Sequence, residues 1–446
     1  MPVRLALAAA LVLAACGPSD SPSEAGPDPA EGPRQVALVQ TDGRYGLTVD
    51  GEPFFVEGAG LEFGDVDRLA ARGGNSFRTW RTDNGQQTGQ EVLDAAHAAG
   101  LLVMMGLEVA REREGEGRGY FGFDYDDEAA VAEQLERLRA EVELYKDHPA
   151  LLGWGIGNEL NLGAENPAVW DAVNGISEMI HAVDGRHPTT TMLAGIGPEL
   201  ADEIRARAPD LDFLSIQMYA DVENLQQRID DAGWTGPYMV TEWGATGHWE
   251  VATTPWDAPI ENTSTVKADL YRARYENAIL PDTTRLLGSY VFLWGQKQER
   301  TPTWYGMFMP SGEKTESVDV MQYVWTGDWP ENRAPRIELP TLGGQTATDG
   351  IRLAPGQTAP AALVATDPDG DALRYTWEVR REQTVLSEGG DDEPETELLP
   401  GLLATADAAE TTLTAPSEPG AYRLFINIYD GQGSAAHANI PFYVDE

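Results

Sequence analysis

Two glutamates stand at the ends of short apolar segments and could act as a catalytic pair. Glu159 ends residues 154–159, with the sequence WGIGNE, and Glu242 ends residues 238–242, with the sequence YMVTE. Loop-like and then helix-like sequence follows each of them. If both carboxyl groups reach one site, a protonated one can release a leaving oxygen while an ionised one attacks an anomeric carbon. The pair therefore predicts cleavage of a glycosidic bond.

The segments that must position these glutamates are short apolar runs that alternate with helical patterns. The clearest helical pattern covers Glu128–Asp147, where apolar residues recur at spacings of three and four. Eight such units in about 280 residues predict an α/β fold, the (β/α)8 or TIM barrel, whose active sites lie at the C-terminal ends of the strands. Both glutamates fall there, after strands four and seven. The predicted strands are Phe54–Glu57, Ser76–Trp80, Leu101–Leu107, Leu151–Gly157, Thr189–Leu193, Phe213–Met218, Tyr238–Thr241 and Ser289–Trp294.

The N-terminal part of the chain has the pattern of an export signal. Residues 1–16 combine a basic start, an apolar stretch too short to span a bilayer, and the run LAAC that ends at Cys16. This run resembles the processing signal of bacterial lipoproteins, which implies lipidation of Cys16 and a lipid anchor to the cell envelope, at the outer membrane or the cell surface. The alternative is an ordinary secretory signal. Residues 17–34 are rich in Pro, Ser, Gly and acidic residues and predict a flexible linker.

The C-terminal part, residues 331–446, has all-β patterning. Apolar residues alternate strictly in two stretches, 373–379 and 422–428. With residues 366–371, TDPDGD, this part resembles the immunoglobulin- and cadherin-like modules of bacterial surface enzymes, which implies a β-sandwich. Such a module could be a spacer or a weak carbohydrate-binding domain, and the lack of an aromatic row favours the spacer. Asp367, Asp369 and Asp371 could bind calcium or form a solvated acidic turn.

Composition narrows the class of ligand. The chain has 31 Lys and Arg against 73 Asp and Glu, which gives a formal net charge of −42. Such a surface repels nucleic acid and polyanionic substrates and suits a neutral ligand. Cys16 is the single cysteine, so the exported protein is expected to fold without a disulfide. The six histidines show no metal-ligand spacing, and no nucleotide or cofactor fingerprint is present, so we expect neither a metal nor a cofactor.

Five matches carry a resemblance to a known group of enzymes, and one of them is Glu242 after strand seven. Residues 36–326, which lie within a predicted domain at residues 35–330, resemble a clan A glycoside hydrolase, with features of families 2 and 5. Asn158 and Glu159 are similar to the Asn-Glu pair after strand four in this clan. Residues 74–80, GNSFRTW, are similar to its strand-two segment. The strand-six tyrosine and strand-eight tryptophan have counterparts in Tyr219 and Trp294.

The resemblance implies a retaining mechanism on a neutral β-linked poly- or oligosaccharide. Glu159 would be the acid/base and Glu242 the nucleophile. The remaining matched residues would contact the substrate or the nucleophile, with Arg78 and Tyr219 beside Glu242, Asn158 at the sugar 2-hydroxyl and Trp294 stacked on the sugar ring. A transglycosylase of the same clan and a non-catalytic glycan-binding surface protein are the alternatives.

Other residues near the predicted strand ends could also belong to the site. Glu108 is the strongest rival carboxylate, and we interpret it as substrate-binding or structural. Trp243, next to Glu242, could stack on a sugar ring. The polar loop at residues 111–127 could shape subsites. For His248 a surface position is favoured over one in the cleft.

Overall fold

A computed structural model describes residues 32–115, 120–387, 389–391 and 393–446. The predicted signal peptide with Cys16, and all but the last three residues of the predicted linker, lie outside the described residues. Within these ranges no helix is long and apolar enough to cross a membrane.

The first strands form a small antiparallel sheet. It consists of β1 (Val36–Thr41), β2 (Arg44–Val49) and β3 (Glu52–Phe54). Asp42 and Gly43 form the turn between β1 and β2 with φ values of 51° and 78°, a conformation that Asp tolerates and Gly adopts freely.

Among the described residues, eight parallel strands close into a barrel in chain order, which confirms the predicted fold. Glu52–Phe54 pairs with β2, so the first barrel strand begins two residues later than predicted. The seventh strand continues past Glu242, which therefore lies within the strand. The barrel strands are β4 (Val56–Gly60), β5 (Ser76–Arg78), β6 (Leu102–Leu107), β7 (Leu151–Asn158), β8 (Thr189–Ala194), β9 (Leu214–Gln217), β10 (Tyr238–Gly244) and β11 (Leu286–Phe292).

Helices connect these strands. The predicted helix at Glu128–Asp147 is present as Glu128–Tyr145, and the Asp127 carboxylate caps its first turn by accepting from two backbone N–H groups. A 3₁₀ turn (Ala220–Asn224) and a π turn (Tyr275–Ile279) extend two of the connections. The α-helices are α1 (Val66–Ala70), α2 (Gly89–Ala98), α3 (Glu128–Tyr145), α4 (Ala168–Val183), α5 (Pro198–Arg207), α6 (Leu225–Asp231), α7 (Ser264–Arg274) and α8 (Glu316–Thr326).

The N-terminal sheet closes the end of the barrel where the strands begin. The N–H of Val36 donates to the carbonyl of Arg186, just before β8, and the N–H of Tyr45 donates to the carbonyl of Thr284, just before β11. Apolar residues of the sheet and of the barrel interior share one buried cluster. The open end of the barrel is therefore the one at the C-terminal ends of the strands.

The C-terminal part forms mainly antiparallel sheets over one core, which confirms the predicted β-sandwich. One sheet has the order β14-β20-β19-β17 and the other the order β13-β15-β18, and a short pair, β12-β16, lies beside them. Leu342 and Leu413 from one sheet and Trp377 from the other lie in the same buried cluster. The strands are β12 (Arg336–Ile337), β13 (Thr341–Leu342), β14 (Arg352–Leu353), β15 (Thr358–Ala362), β16 (Ala365–Thr366), β17 (Arg374–Arg381), β18 (Glu410–Thr414), β19 (Gly420–Tyr429) and β20 (Ala435–Val444).

The acidic turn of this domain differs from the predicted trio. Carboxylate oxygens of Asp367, Asp371 and Asp430 lie within 4.8 Å of one another. Asp369 turns away and accepts from the backbone N–H of Arg333 at 2.7 Å. Asp430 was missed because it lies about 60 residues along the chain and reaches the turn only through the fold. The two alternatives from the sequence, a calcium site and a solvated acidic turn, both stay open for this cluster.

The barrel and the sandwich share a buried polar contact. Lys267 Nζ donates to Glu261 Oε1 at 2.5 Å, and Asn439 Nδ2 of the sandwich donates to Glu261 Oε2 at 2.5 Å. Burial and the Lys267 charge lower the pKa of His437 to about 3, so this sandwich residue stays neutral against the ion pair. Glu261 of the barrel is therefore stabilised by hydrogen bonds from both domains.

Substitution of Lys267 is expected to destabilise the protein strongly. In Lys267→Met the Glu261 carboxylate stays buried without its cation, which costs roughly 3–5 kcal/mol in the free energy of unfolding. The control is Lys146→Met, because Lys146 makes only a surface pair with Asp147 at 3.4 Å and should contribute at most about 1 kcal/mol. Urea unfolding of both variants measures the difference, and equal losses would contradict this account of the contact.

Candidate active site

A cavity of about 1120 Å³ lies over the C-terminal ends of the barrel strands. Its lining includes Glu159 and Glu242 and residues that follow most of the strands. Pockets for small molecules are typically about 300–1,000 Å³, so this cavity has room for more than one sugar ring. The sequence prediction that both glutamates reach one rim of the barrel agrees with this placement.

Glu242 points into the barrel and lies among hydrogen-bond donors. Of the described side chains, four donate to its carboxylate. Arg78 Nη1, Trp80 Nε1 and Gln217 Nε2 reach Oε1 at 3.2, 3.0 and 3.1 Å. The Tyr219 hydroxyl reaches Oε2 at 2.8 Å. Because an ionised carboxylate only accepts hydrogen bonds, this surrounding fixes its orientation and suits its charge.

Arg78 connects Glu242 to Asn158. The guanidinium is fully buried, and its Nη2 donates to Asn158 Oδ1 at 2.7 Å. Gln217 Nε2 donates to the same amide oxygen at 2.8 Å. With its oxygen occupied, Asn158 keeps its NH₂ group as a donor, and no described residue accepts from that group. This orientation suits the predicted contact to a sugar hydroxyl.

Glu159 sits on a sharp turn at the end of β7. Its φ is 52°, a left-handed conformation that is strained for a non-glycine residue, and Gly157 just before it has a φ of 72°. The N–H of Glu159 is fixed by the carbonyl of Met192 at 2.8 Å. This turn ends the strand and places the carboxyl group in the cavity lining.

Within the described part of the chain, the Glu159 carboxyl lacks the hydrogen-bond donors that surround Glu242. No described side chain donates a hydrogen bond to it. Burial and the nearby charge of Glu242 raise the pKa of Glu159 to about 8, against the opposing effect of Arg111 and Arg78. Glu159 therefore holds a proton at neutral pH and can donate it.

The chain is similar in sequence or in fold to several known glycosidases. No family model matches the chain. The chain is 26% identical over 183 residues to a probable mannan endo-1,4-beta-mannosidase A of Aspergillus clavatus, a match that covers 34% of this chain and 51% of that protein. Among solved structures, it is similar to a β-glucuronidase of Bifidobacterium dentium and a β-D-glucuronidase of Dictyoglomus thermophilum. The first has a TM-score of 0.51 and is covered over 50% of its length, and the second has a TM-score of 0.50 and is covered over 54%. Both are 17% identical to this chain and match 67% of it.

The chain thus spans about half the length of the proteins it matches. The likeness to solved structures supports the closed parallel barrel fold. The sequence match to a mannosidase agrees with the resemblance of residues 36–326 to clan A glycoside hydrolases.

A second group of acidic residues borders the cavity at the ends of the first three barrel strands. Arg81 Nε pairs with Glu62 Oε1 at 2.9 Å, and Arg81 Nη1 pairs with Glu108 Oε1 at 3.5 Å. Glu108 lies in the cavity lining, but it pairs with this rim arginine rather than with the donors around Glu242. The contact suits a substrate-binding or structural residue, as the sequence interpretation had it, better than a nucleophile.

Trp243 does not reach the cavity, which corrects its predicted role as a sugar-binding residue. Its side chain is fully buried and stacks on Tyr275 at 5.7 Å, with Tyr271 at 5.8 Å. Neighbouring side chains of a strand point to opposite faces, so when Glu242 faces the interior, Trp243 must face the helices.

Other aromatic side chains also border the cavity. Trp294 borders it but is fully buried, with its ring packed against Phe308 at 5.3 Å, so sugar stacking by Trp294 stays a prediction. Trp249 and Phe63 also border the cavity and are 60% and 49% exposed. Aromatic rings at such positions can stack on a sugar.

Some residues of the site were missed or misjudged from the sequence. Gln217 and Trp80 donate to Glu242 but were not singled out for that role, although a glutamine inside an apolar strand was a usable signal. His248 borders the cavity, with Nε2 at 3.5 Å from Glu299 Oε1, which corrects the expectation of a surface position.

Removal of the Tyr219 hydroxyl is expected to slow catalysis. Burial and the Glu242 charge raise the pKa of Tyr219 well above its usual value, so it remains a donor to Oε2 at working pH. A hydrogen bond to a charged group contributes about 1.5–3 kcal/mol, so Tyr219→Phe should lower kcat/KM about 10- to 100-fold. The control is Tyr305→Phe, because Tyr305 packs on Tyr219 at 5.4 Å but bonds the backbone of His248. A comparable loss in the control would contradict the assignment.

Proposed function

We propose that this protein is a retaining β-glycoside hydrolase that acts on a neutral β-linked poly- or oligosaccharide. The observation that carries the proposal is that two carboxyl groups in one cavity have surroundings that favour different protonation states. Glu242 accepts from several buried donors, including the permanent cation of Arg78, and Glu159 has a pKa raised to about 8. One group is thus arranged to attack and the other to donate a proton.

In the first step Glu242 attacks the anomeric carbon and forms a glycosyl ester. The bond between that carbon and the leaving oxygen breaks, and Glu159 gives its proton to this oxygen. Arg78 and Tyr219 keep the attacking carboxylate in place while its charge is consumed. Asn158 offers its NH₂ group to the 2-hydroxyl, a contact that strengthens in an oxocarbenium-like transition state.

In the second step the roles of Glu159 reverse. Once Glu242 is an ester, its negative charge is gone, and one cause of the raised pKa of Glu159 disappears with it. The ionised Glu159 then takes a proton from water, the water oxygen attacks the anomeric carbon, and the ester bond breaks. Two inversions return the β-anomer, and the sequence of steps needs no cofactor.

Composition and the sequence relative support a neutral substrate. The net charge of −42 disfavours polyanionic glycans. The sequence relative is described as acting on mannan, so a β-1,4-linked mannan or its oligosaccharides are the first candidates.

The test is a screen of the purified protein on mannan, other neutral β-glycans and aryl β-glycosides, with an aryl β-glucuronide for comparison. We expect activity on a neutral substrate, with the β-anomer of the product appearing first in proton NMR spectra. The α-anomer first would mean inversion and contradict the mechanism. Binding of glycans without hydrolysis of any of them would instead support the non-catalytic alternative.

We also infer a lipid-anchored location at the bacterial envelope, on the resemblance of residues 1–16 to a lipoprotein signal. Growth with labelled palmitate is expected to label the parent protein but not Cys16→Ala. Label on both proteins, or on neither, would contradict this inference.

A further inference from the structure

The C-terminal sandwich contributes residues to the same cavity as the two glutamates. Five described residues of the connection between β17 and β18 border it: Ser387, Gly389, Gly390, Asp391 and Glu393, here called the sandwich segment. The sequence prediction of a spacer domain does not account for this contact. The sandwich segment is held by charged side chains from two separate barrel loops.

The first attachment comes from the loop after β6. Arg113 Nη1 and Nη2 donate to the two oxygens of Asp391 at 3.0 and 3.1 Å. The side chains are 8% and 13% exposed, so this bidentate pair is largely shielded from water.

The second attachment comes from the loop after β11. Lys297 Nζ donates to the carbonyl of Gly390, and Arg300 Nη2 donates to the carbonyl of Ser387 at 3.0 Å. The backbone N–H of Arg300 donates to Glu393 Oε2 at 2.5 Å, and its guanidinium pairs with the same carboxylate.

The two attachments lie on different sides of the barrel mouth. Around the closed barrel, β6 is three strands from β11, and β7 is four strands from it, which is directly opposite. Gly389 also approaches Leu162, in the loop after β7. The sandwich segment therefore joins loops from nearly opposite sides of the rim.

The two glycines allow this close approach. Gly389 has a φ of +57°, and a Cβ there would lie 2.8 Å from Arg113 Nη2 and 2.9 Å from Leu162 Cδ2. Gly390 has a φ of +75°, and a Cβ there would lie 2.9 Å from Lys297 Nζ. A larger residue at either position would be strained in this backbone, and the ends of the Arg113, Leu162 or Lys297 side chains would have to shift.

We propose that the sandwich segment forms a wall of the leaving-group subsite, which makes the C-terminal domain a determinant of substrate specificity. Leu162, against which Gly389 packs, follows Glu159 by three residues. Arg113 follows Arg111, whose charge acts on Glu159, by two residues. The segment thus lies on the side of the acid that protonates the leaving oxygen. This inference rests on the proposed glycosidase function.

The experiment compares two substrates with the same sugar at the reacting position. One is a β-glycosyl fluoride, whose small leaving group cannot reach the sandwich segment, and the other is the β-linked oligosaccharide that the parent cleaves. In Asp391→Ala we expect kcat/KM to fall about tenfold for the oligosaccharide and to stay within about twofold for the fluoride. Gly389→Ala adds a methyl group against Arg113 and Leu162. It should also lower kcat/KM more for the oligosaccharide than for the fluoride.

Asp407→Ala is the matched control, because Asp407 is an exposed carboxylate of the same connection outside the cavity lining. It should leave both rates at parent values. Equal losses on both substrates, or no loss on either, in Asp391→Ala and Gly389→Ala would overturn the proposed subsite while leaving the glycosidase function intact. A parent protein that is inactive on both substrates would overturn the proposed function and this inference with it.

Discussion

Glu242→Gln is expected to lower kcat by at least about four orders of magnitude, as the loss of a covalent nucleophile does in other enzymes. The amide keeps the size of the carboxylate and one of its acceptors, so the fold should persist. The reaction stops because an amide neither carries the charge nor forms the glycosyl ester.

Glu108→Gln is the matched control for this prediction. Glu108 borders the same cavity and was the strongest rival in the sequence, but it pairs with Arg81 at 3.5 Å and lies outside the donors around Glu242. We expect its kcat to remain within about tenfold of the parent value, because a rim contact contributes about 1 kcal/mol or less. A larger loss in Glu108→Gln than in Glu242→Gln would show that the nucleophile is assigned wrongly.

Azide should separate the roles of the two glutamates. In Glu242→Ala the space of the lost carboxylate admits a small anion, which attacks the same face of the sugar and yields the α-glycosyl azide. In Glu159→Ala the nucleophile remains, so azide replaces water in the second step and yields the β-glycosyl azide. Polarimetry or NMR of the products distinguishes the two azides. A β-azide from Glu242→Ala and an α-azide from Glu159→Ala would mean that Glu159 is the nucleophile and Glu242 the acid/base.

Glu159→Gln is expected to show the second large effect, and its size should depend on the leaving group. Loss of general acid catalysis costs about 10²- to 10⁴-fold for a sugar leaving group. A dinitrophenyl glycoside, whose leaving group needs no proton, should lose far less in the first step. Equal losses on both substrates would contradict a role for Glu159 as the acid.

The pH profile gives an independent reading of the same residue. The pKa of Glu159 is raised to about 8, so the acid is lost as the pH rises through that value, and kcat/KM of the parent should fall there. On the dinitrophenyl glycoside, Glu159→Gln should lack this alkaline decline. If kcat/KM of the variant still falls near pH 8, a group other than Glu159 causes the decline.

The stability of the parent should also depend on the ionisation of Glu159, and the stability of Glu159→Gln should not. The unfolded chain ionises Glu159 near the ordinary pKa of a glutamate, and the folded protein ionises it only near 8. The parent therefore loses stability as the pH rises between these values, because the unfolded state releases its proton first. Glu159→Gln should be stabilised relative to the parent at pH 9 and not at pH 4, as measured by thermal unfolding.

The barrel and the two glutamates could be predicted from the sequence because both depend on local patterns. Apolar runs separated by helical patterns predict the strands, and the parallel order places the strand ends on one rim. Gln217 and Trp80 gave weaker signals, because a donor's role is visible only when its acceptor on another strand is known. The error at Trp243 was avoidable, since a neighbour of Glu242 in the same strand must face the other way.

The sandwich segment could not be predicted in this way. Its attachment joins Arg113 to Asp391, which are 278 residues apart in the chain. No local pattern reports a contact at that distance, and the Gly-Gly-Asp sequence at residues 389–391 is also typical of an ordinary surface turn. Only the packing of the two domains places this turn at the mouth of the barrel.

The central claim is that Glu242 forms a covalent bond to the sugar, and trapping that bond tests it most directly. A dinitrophenyl 2-deoxy-2-fluoro-β-glycoside of the preferred sugar has a reactive leaving group, while its fluorine slows hydrolysis of the ester. Mass spectrometry of the digested protein should find one added fluorosugar on the peptide that contains Glu242, and none in Glu242→Gln. An adduct on Glu159 or Glu108, or turnover without any adduct and with an α-anomer as the first product, would contradict the account.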